Sequence, residues 1–138
     1  MARFLLDTSA LICLRDDEPG ADRVAALLEQ SAAGRAECFG CFMTLMEIYY
    51  RVWRDEGHDR GRAAYADVQR LPVEWVHESP ELLEAAAALT ATSSLSLADA
   101  WIAASAQARS AVLVHKDPEY QAIDALRQEL LPLRKRRA

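Results

Sequence analysis

Four acidic residues stand where this chain could do chemistry: Asp7, Glu47, Asp99 and Asp117. Asp7 ends the apolar run Phe4-Leu5-Leu6, and Asp117 comes two residues after the run AVLVH. Glu47 and Asp99 each lie three residues after a hydroxyl residue that could open a helix, Thr44 and Ser96. Carboxylates brought to one spot repel and raise one another's pKa unless a cation neutralises them. An oxygen-only donor set of this kind suits Mg²⁺ or Mn²⁺. A hard cation held this way activates water and stabilises a departing oxygen in phosphoryl transfer. The three histidines, His58, His77 and His115, have no zinc-ligand spacing to one another.

Each acid also has a structural explanation. Asp before a helix is a common N-cap. Thr44-Leu45-Met46-Glu47 has capping-box spacing, as does Ser96-Leu97-Ala98-Asp99 with Asp at the third position. Asp117-Pro118 is a standard turn initiator. Taken together the four gain weight, because loops at the C-terminal ends of parallel strands share one sheet edge.

The elements that would place them there can be read coarsely. Strands are expected at 3–6, 38–43, 73–77 and 111–115, with a last edge strand over 129–134. Helices are expected at 9–15, 20–32, 44–56, 59–71, 80–92, 97–109 and 119–128, with Gly57 and Pro72 as breaks. On the third of these, Leu45, Ile48, Tyr49 and Val52 fall at helical spacing. Strands alternating with helices imply an α/β fold, a parallel sheet covered on both faces. The 138 residues suit one domain, with 134–138 a frayed basic tail.

Composition narrows the class. The chain is 51% hydrophobic and 27% charged, ordinary for a globular protein. No apolar run approaches the roughly 20 residues that span a bilayer, and MARFLLDTS lacks a signal-peptide layout. No membrane association and a cytoplasmic location are expected. The net charge of −5 does not exclude a nucleic-acid partner, because bound metal reverses the sign locally. Cys13, Cys38 and Cys41 read as buried reduced thiols. Cys38 and Cys41, three apart on a strand, point to opposite faces. Trp53, Trp75 and Trp101 read most simply as core residues.

The segments FLLDTSALI, TLMEIYYRV, SLADAWIAASA and LVHKDPEYQAI together resemble the PIN-domain ribonucleases, most closely the VapC-type toxins of toxin–antitoxin pairs. The resemblance spans nearly the whole chain, in order. It implies a three-layer fold with a central parallel sheet of about five strands flanked by helices. It implies that Asp7, Glu47, Asp99 and Asp117 form an acidic quartet binding Mg²⁺ (Mn²⁺ possible), with Glu119 competing for the fourth place. Thr8 and Ser9 would support the carboxylates. The activity implied is metal-dependent hydrolysis of RNA phosphodiester bonds. The implied partners are an RNA substrate, a small neutralising antitoxin and a second copy in a homodimer.

Lys116, beside Asp117, and Arg51 and Arg54, near Tyr49 and Tyr50, are candidate RNA contacts. The arginines also fit a solvated face paired with Asp55, Glu56 and Asp59. Two other functions compete. A signalling receiver shares the parallel sheet and acidic Mg²⁺ pocket, but it needs adjacent acids after strand one and a mid-chain phospho-accepting aspartate, and the run Val73–His77 supplies none. A non-catalytic RNA- or protein-binding module of the same fold is the other.

Overall fold

A computed structural model describes residues 1–133; the basic stretch Arg134–Arg137 lies outside the described residues. The first strand, β1 (Ala2–Leu6), leads directly into α1 (Thr8–Arg15) and then α2 (Ala21–Ala32). Next come β2 (Ala36–Cys41), α3 (Phe42–Glu56), α4 (His58–Gln69) and β3 (Glu74–Val76). The chain continues with α5 (Pro80–Thr92), α6 (Leu97–Ala108), β4 (Val112–His115), a 3₁₀ turn (Pro118–Ala122) and β5 (Gln128–Leu130).

The five strands form one parallel sheet in the order β3-β2-β1-β4-β5. The sheet alternates its side chains between two separate cores. Leu5, Phe39, Cys41 and Leu113 face one apolar cluster with α5 and α6. Leu6, Cys38 and Val114 face the other, with α1 to α4. This is the three-layer α/β arrangement, and it follows from period-two alternation in strands buried on both faces. Cys38 and Cys41 do point to opposite faces, and all three thiols are free and buried. Ala100, Ala103, Ala104 and Ala106 on α6 are fully buried, so small side chains let this helix lie close on the sheet.

Three expectations need correction. α3 starts at Phe42 with Cys41 as its cap, so Thr44 is no N-cap and the capping box does not form. β2 stops pairing at Cys41, opposite Val76. Phe42 then packs edge-on against Trp101, which brings the helix forward by two residues. The helix expected over 119–128 shrinks to the 3₁₀ turn, because the Tyr120 side chain turns inward to full burial. Trp53 is 49% exposed rather than core, while Trp75 and Trp101 are partly buried against the two clusters. Among the described residues no helix is long and apolar enough to cross a membrane.

Candidate metal centre

β1 and β4 are paired through Leu6 and Val114, and the Asp7 N–H continues the ladder to Val114 O at 3.0 Å. Asp7 therefore emerges at the C-terminal edge of the sheet, where it caps α1 by accepting from Ser9 N at 3.0 Å. It is both a helix cap and a buried carboxylate, 4% exposed. Ser9 Oγ also donates to Asp7 Oδ2 and accepts from Lys116 N at 2.9 Å. Ser9 thus ties the first acid to the segment that carries the fourth.

Glu47 reaches the same edge from the second turn of α3. Thr8 Oγ1 donates to its Oε1 at 2.7 Å. Thr44, fully buried, lies 2.9 Å from Thr8 Oγ1. With Glu47 ionised the Thr8 proton goes to the carboxylate, so Thr44 donates to Thr8. The two threonines form a relay holding Glu47 beside Asp7. Burial first, then Asp7 and Asp99, raises the Glu47 pKa, against the Thr8 bond and the more distant Arg51.

Asp99 arrives from the opposite layer. Ser96 caps α6 by accepting from Asp99 N at 3.2 Å, as the sequence pattern indicates. Burial first, and the negative charges of Asp7 and Asp117, raise its pKa, while the Tyr120 hydrogen bond opposes. Asp117 accepts from Glu119 N at 3.0 Å, the tight turn expected of Asp-Pro. A carboxylate oxygen from each of Asp99, Asp117 and Glu119 lies within 4.8 Å of the others. Both contenders for the fourth position are therefore present at the rim.

Sequence reasoning missed the residue that joins the halves. The Tyr120 hydroxyl lies 2.9 Å from Asp7 Oδ1 and 2.9 Å from Asp99 Oδ1. Burial, then Asp7 and Asp99, pushes its pKa far upward, so the phenol stays a donor. Two further positioning residues were missed. His115 Nδ1 accepts from Asp117 N at 3.0 Å, which leaves Nε2–H to donate to Gln128 Oε1 at 2.9 Å. Gln128 Nε2 donates to Tyr120 O at 2.7 Å and so clamps the 3₁₀ turn. The available signal was that a buried tyrosine hydroxyl needs a polar partner.

The candidate RNA contacts separate. Lys116 is not free to meet a phosphate. Its side chain is 11% exposed and its ammonium sits 3.0 Å from Glu18 Oε1 and 3.1 Å from Pro19 O. Arg54 is exposed, pairs with Asp55 at 3.0 Å and lies over Tyr50. Arg51 has no ion-pair partner among the described residues and lines a cleft of about 270 Å³ with Ser9 and Lys116. Tyr49 stacks with Tyr65, and Trp53 with His58, between α3 and α4.

The donor chemistry fits a hard divalent cation: the rim gathers carboxylates with hydroxyls beside them, at the cost of mutual repulsion that a cation would relieve.

Residues 4–126 match the PIN domain family. Several solved structures share the fold. A chain of VapBC2 from Rickettsia felis, determined bound to a DNA fragment of its promoter, superposes with TM-score 0.75 and 18% identity. The match covers 94% of this chain and 99% of that one. VapBC-1 from nontypeable Haemophilus influenzae gives TM-score 0.73 and 21% identity, covering 93% and 97%. VapC20 of Mycobacterium tuberculosis, described as a sarcin–ricin loop cleaving toxin, gives 0.67 and 17%, covering 88% and 95%. No curated protein matches the chain.

Proposed function

The chain belongs to the PIN domain family, and from that premise we propose that it is a divalent-cation-dependent endoribonuclease acting as the toxin of a toxin–antitoxin pair. The observation that carries this reading is the meeting of Asp7 and Asp99 at one hydroxyl, with Asp117 and Glu119 beside Asp99. The match to the PIN domain family over residues 4–126 tells against the receiver alternative.

Asp7, Asp99 and Asp117, joined by Glu119, would hold Mg²⁺ or Mn²⁺. Such an ion supplies Lewis acidity that makes water nucleophilic near neutral pH and offsets charge on the leaving oxygen. The chain's own residues do the rest. Thr8 fixes Glu47 Oε1 and leaves Oε2 to accept a proton from the attacking water. In the metal-free protein burial raises that carboxyl's pKa, and a cation at the rim would favour its ionised form. Ser9 and Tyr120 hold the two oxygens of Asp7 in place. Arg51, without an ion-pair partner among the described residues and lining a cleft with Ser9, would meet a flanking phosphate.

Structured RNA is the proposed substrate class, supported by the name of the M. tuberculosis relative. An antitoxin partner is supported by the VapBC complexes sharing the fold. Homodimer formation is carried over from the resemblance.

The test is incubation of purified protein with labelled structured RNAs in Mg²⁺, in Mn²⁺ and in EDTA, alongside Asp7→Asn and Asp99→Asn. Cleavage should require the cation and be lost in both variants. Cleavage that survives chelator or either substitution would overturn the reading.

A further inference from the structure

Tyr120 is the largest fully buried side chain, yet its polar tip is aimed at the acidic rim. Its ring packs edge-on against His115 at 4.8 Å, and its carbonyl is clamped by Gln128. The hydroxyl is therefore fixed in space by the fold. On one side it meets Asp7, already held by Ser9 from α1. On the other it meets Asp99, whose carboxylate also draws on the Ser96 hydroxyl at the cap of its own helix. A phenol carries one proton and cannot donate to two carboxylates at once. The arrangement is satisfied when positive charge at the rim meets the remaining demand.

We propose that Tyr120 is a positioning residue whose hydroxyl spans Asp7 and Asp99 and presets the separation at which the two carboxylates grip a divalent cation. This rests on reading the rim as a cation site. Without the hydroxyl, repulsion turns Asp99, on the outer layer and only half-buried, away from Asp7. Outer hydrogen-bond partners of metal-binding carboxylates typically carry about 10–100-fold in affinity.

The experiment is calorimetric titration of Mn²⁺ into the metal-free wild type and Tyr120→Phe, with thermal unfolding of both in EDTA. The substitution keeps the ring and its packing. Tyr120→Phe should bind Mn²⁺ about 10–100-fold more weakly than wild type. A lowered melting temperature with unchanged or tighter Mn²⁺ binding would show a merely structural role and overturn the proposal. Should Tyr120→Phe fail to fold, fluorine NMR of wild type labelled with fluorotyrosine supplies the readout. The resonance of the buried tyrosine should move in step with Mg²⁺ occupancy, and a stationary signal would overturn the proposal. A wild type that binds no cation overturns it too. A wild type that binds Mn²⁺ about 10–100-fold more tightly than Tyr120→Phe but cuts no RNA supports the positioning role while the nuclease reading fails.

Discussion

At the scale of single residues, the rim is a set of acids made expensive by the fold. Glu47 and Asp99 hold their protons to higher pH in the folded chain than in the unfolded one, through burial first and then neighbouring carboxylates. Between the two values folding takes up protons, so these groups make the metal-free protein more stable as pH falls. In EDTA, the melting temperature should rise on going from neutral pH into the mildly acidic range, before general acid unfolding begins. A monotonic fall from pH 7 downward would contradict this. Cation affinity should change the opposite way, weakening as pH falls, because protons and metal compete for the same oxygens. The relay from Thr44 through Thr8 gives a second prediction. Thr8→Val leaves the buried Thr44 hydroxyl without its partner and frees Glu47. The expected cost is about 1–3 kcal/mol in denaturant unfolding, with a roughly 10–100-fold loss of cleavage. Cleavage equal to wild type would mean that Glu47 needs no such orientation.

At the scale of elements, two packing features set the sheet edge. Gly40 on β2 lies under the Trp75 ring of β3, and a Cβ there would overlap the ring. Trp75 is itself packed against the core, so it cannot simply swing away. Gly40→Ala should destabilise by about 1–3 kcal/mol through overpacking, measured as a shift in the denaturant midpoint. A change within error would show that the ring gives way freely. The second feature is the turn from Asp117 to Ala122, held by His115 below and Gln128 beside it. Gln128→Ala removes the donor to Tyr120 O and Ile123 O and the acceptor for His115. Amide exchange at Tyr120 and Ile123 should quicken, with Mn²⁺ affinity falling alongside. Unchanged exchange would mean that the 3₁₀ turn stands on its own backbone bonds.

At the scale of the whole molecule, the two cores on either side of the sheet are apolar side chains that need no cation to pack, and the thiols are free. The fold therefore does not depend on a cation in the way a small zinc domain does. In EDTA the far-ultraviolet circular dichroism should match that of the metal-loaded protein. Saturating Mn²⁺ should still raise the melting temperature, since binding at 100 times Kd contributes about 2.7 kcal/mol. Unfolding on chelation would contradict this division between scaffold and site.

The chain's local order was open to reading because local interactions decide it. β1 ending at Leu6 just before Asp7, Ser96 capping α6, the α5 start at Pro80, and the opposed faces of Cys38 and Cys41 all depend on neighbours a few residues away. The parallel sheet follows from the alternation of such segments, and the acids were visible at its strand ends. Where the outcome rests on distant partners, the pattern misled or was silent. Thr44 has capping-box spacing but spends its hydroxyl on Thr8, 36 residues away. Residues 119–128 have helical composition, but the burial of Tyr120 stops the helix after one turn. Lys116 looked free for a phosphate, but it is held by Glu18. Tyr120 meets Asp7 across 113 residues of chain. Sequence settles which backbone shapes are cheap; which side chains meet at the rim depends on three-dimensional packing, where a buried hydroxyl or ammonium must find whatever partner the fold brings near.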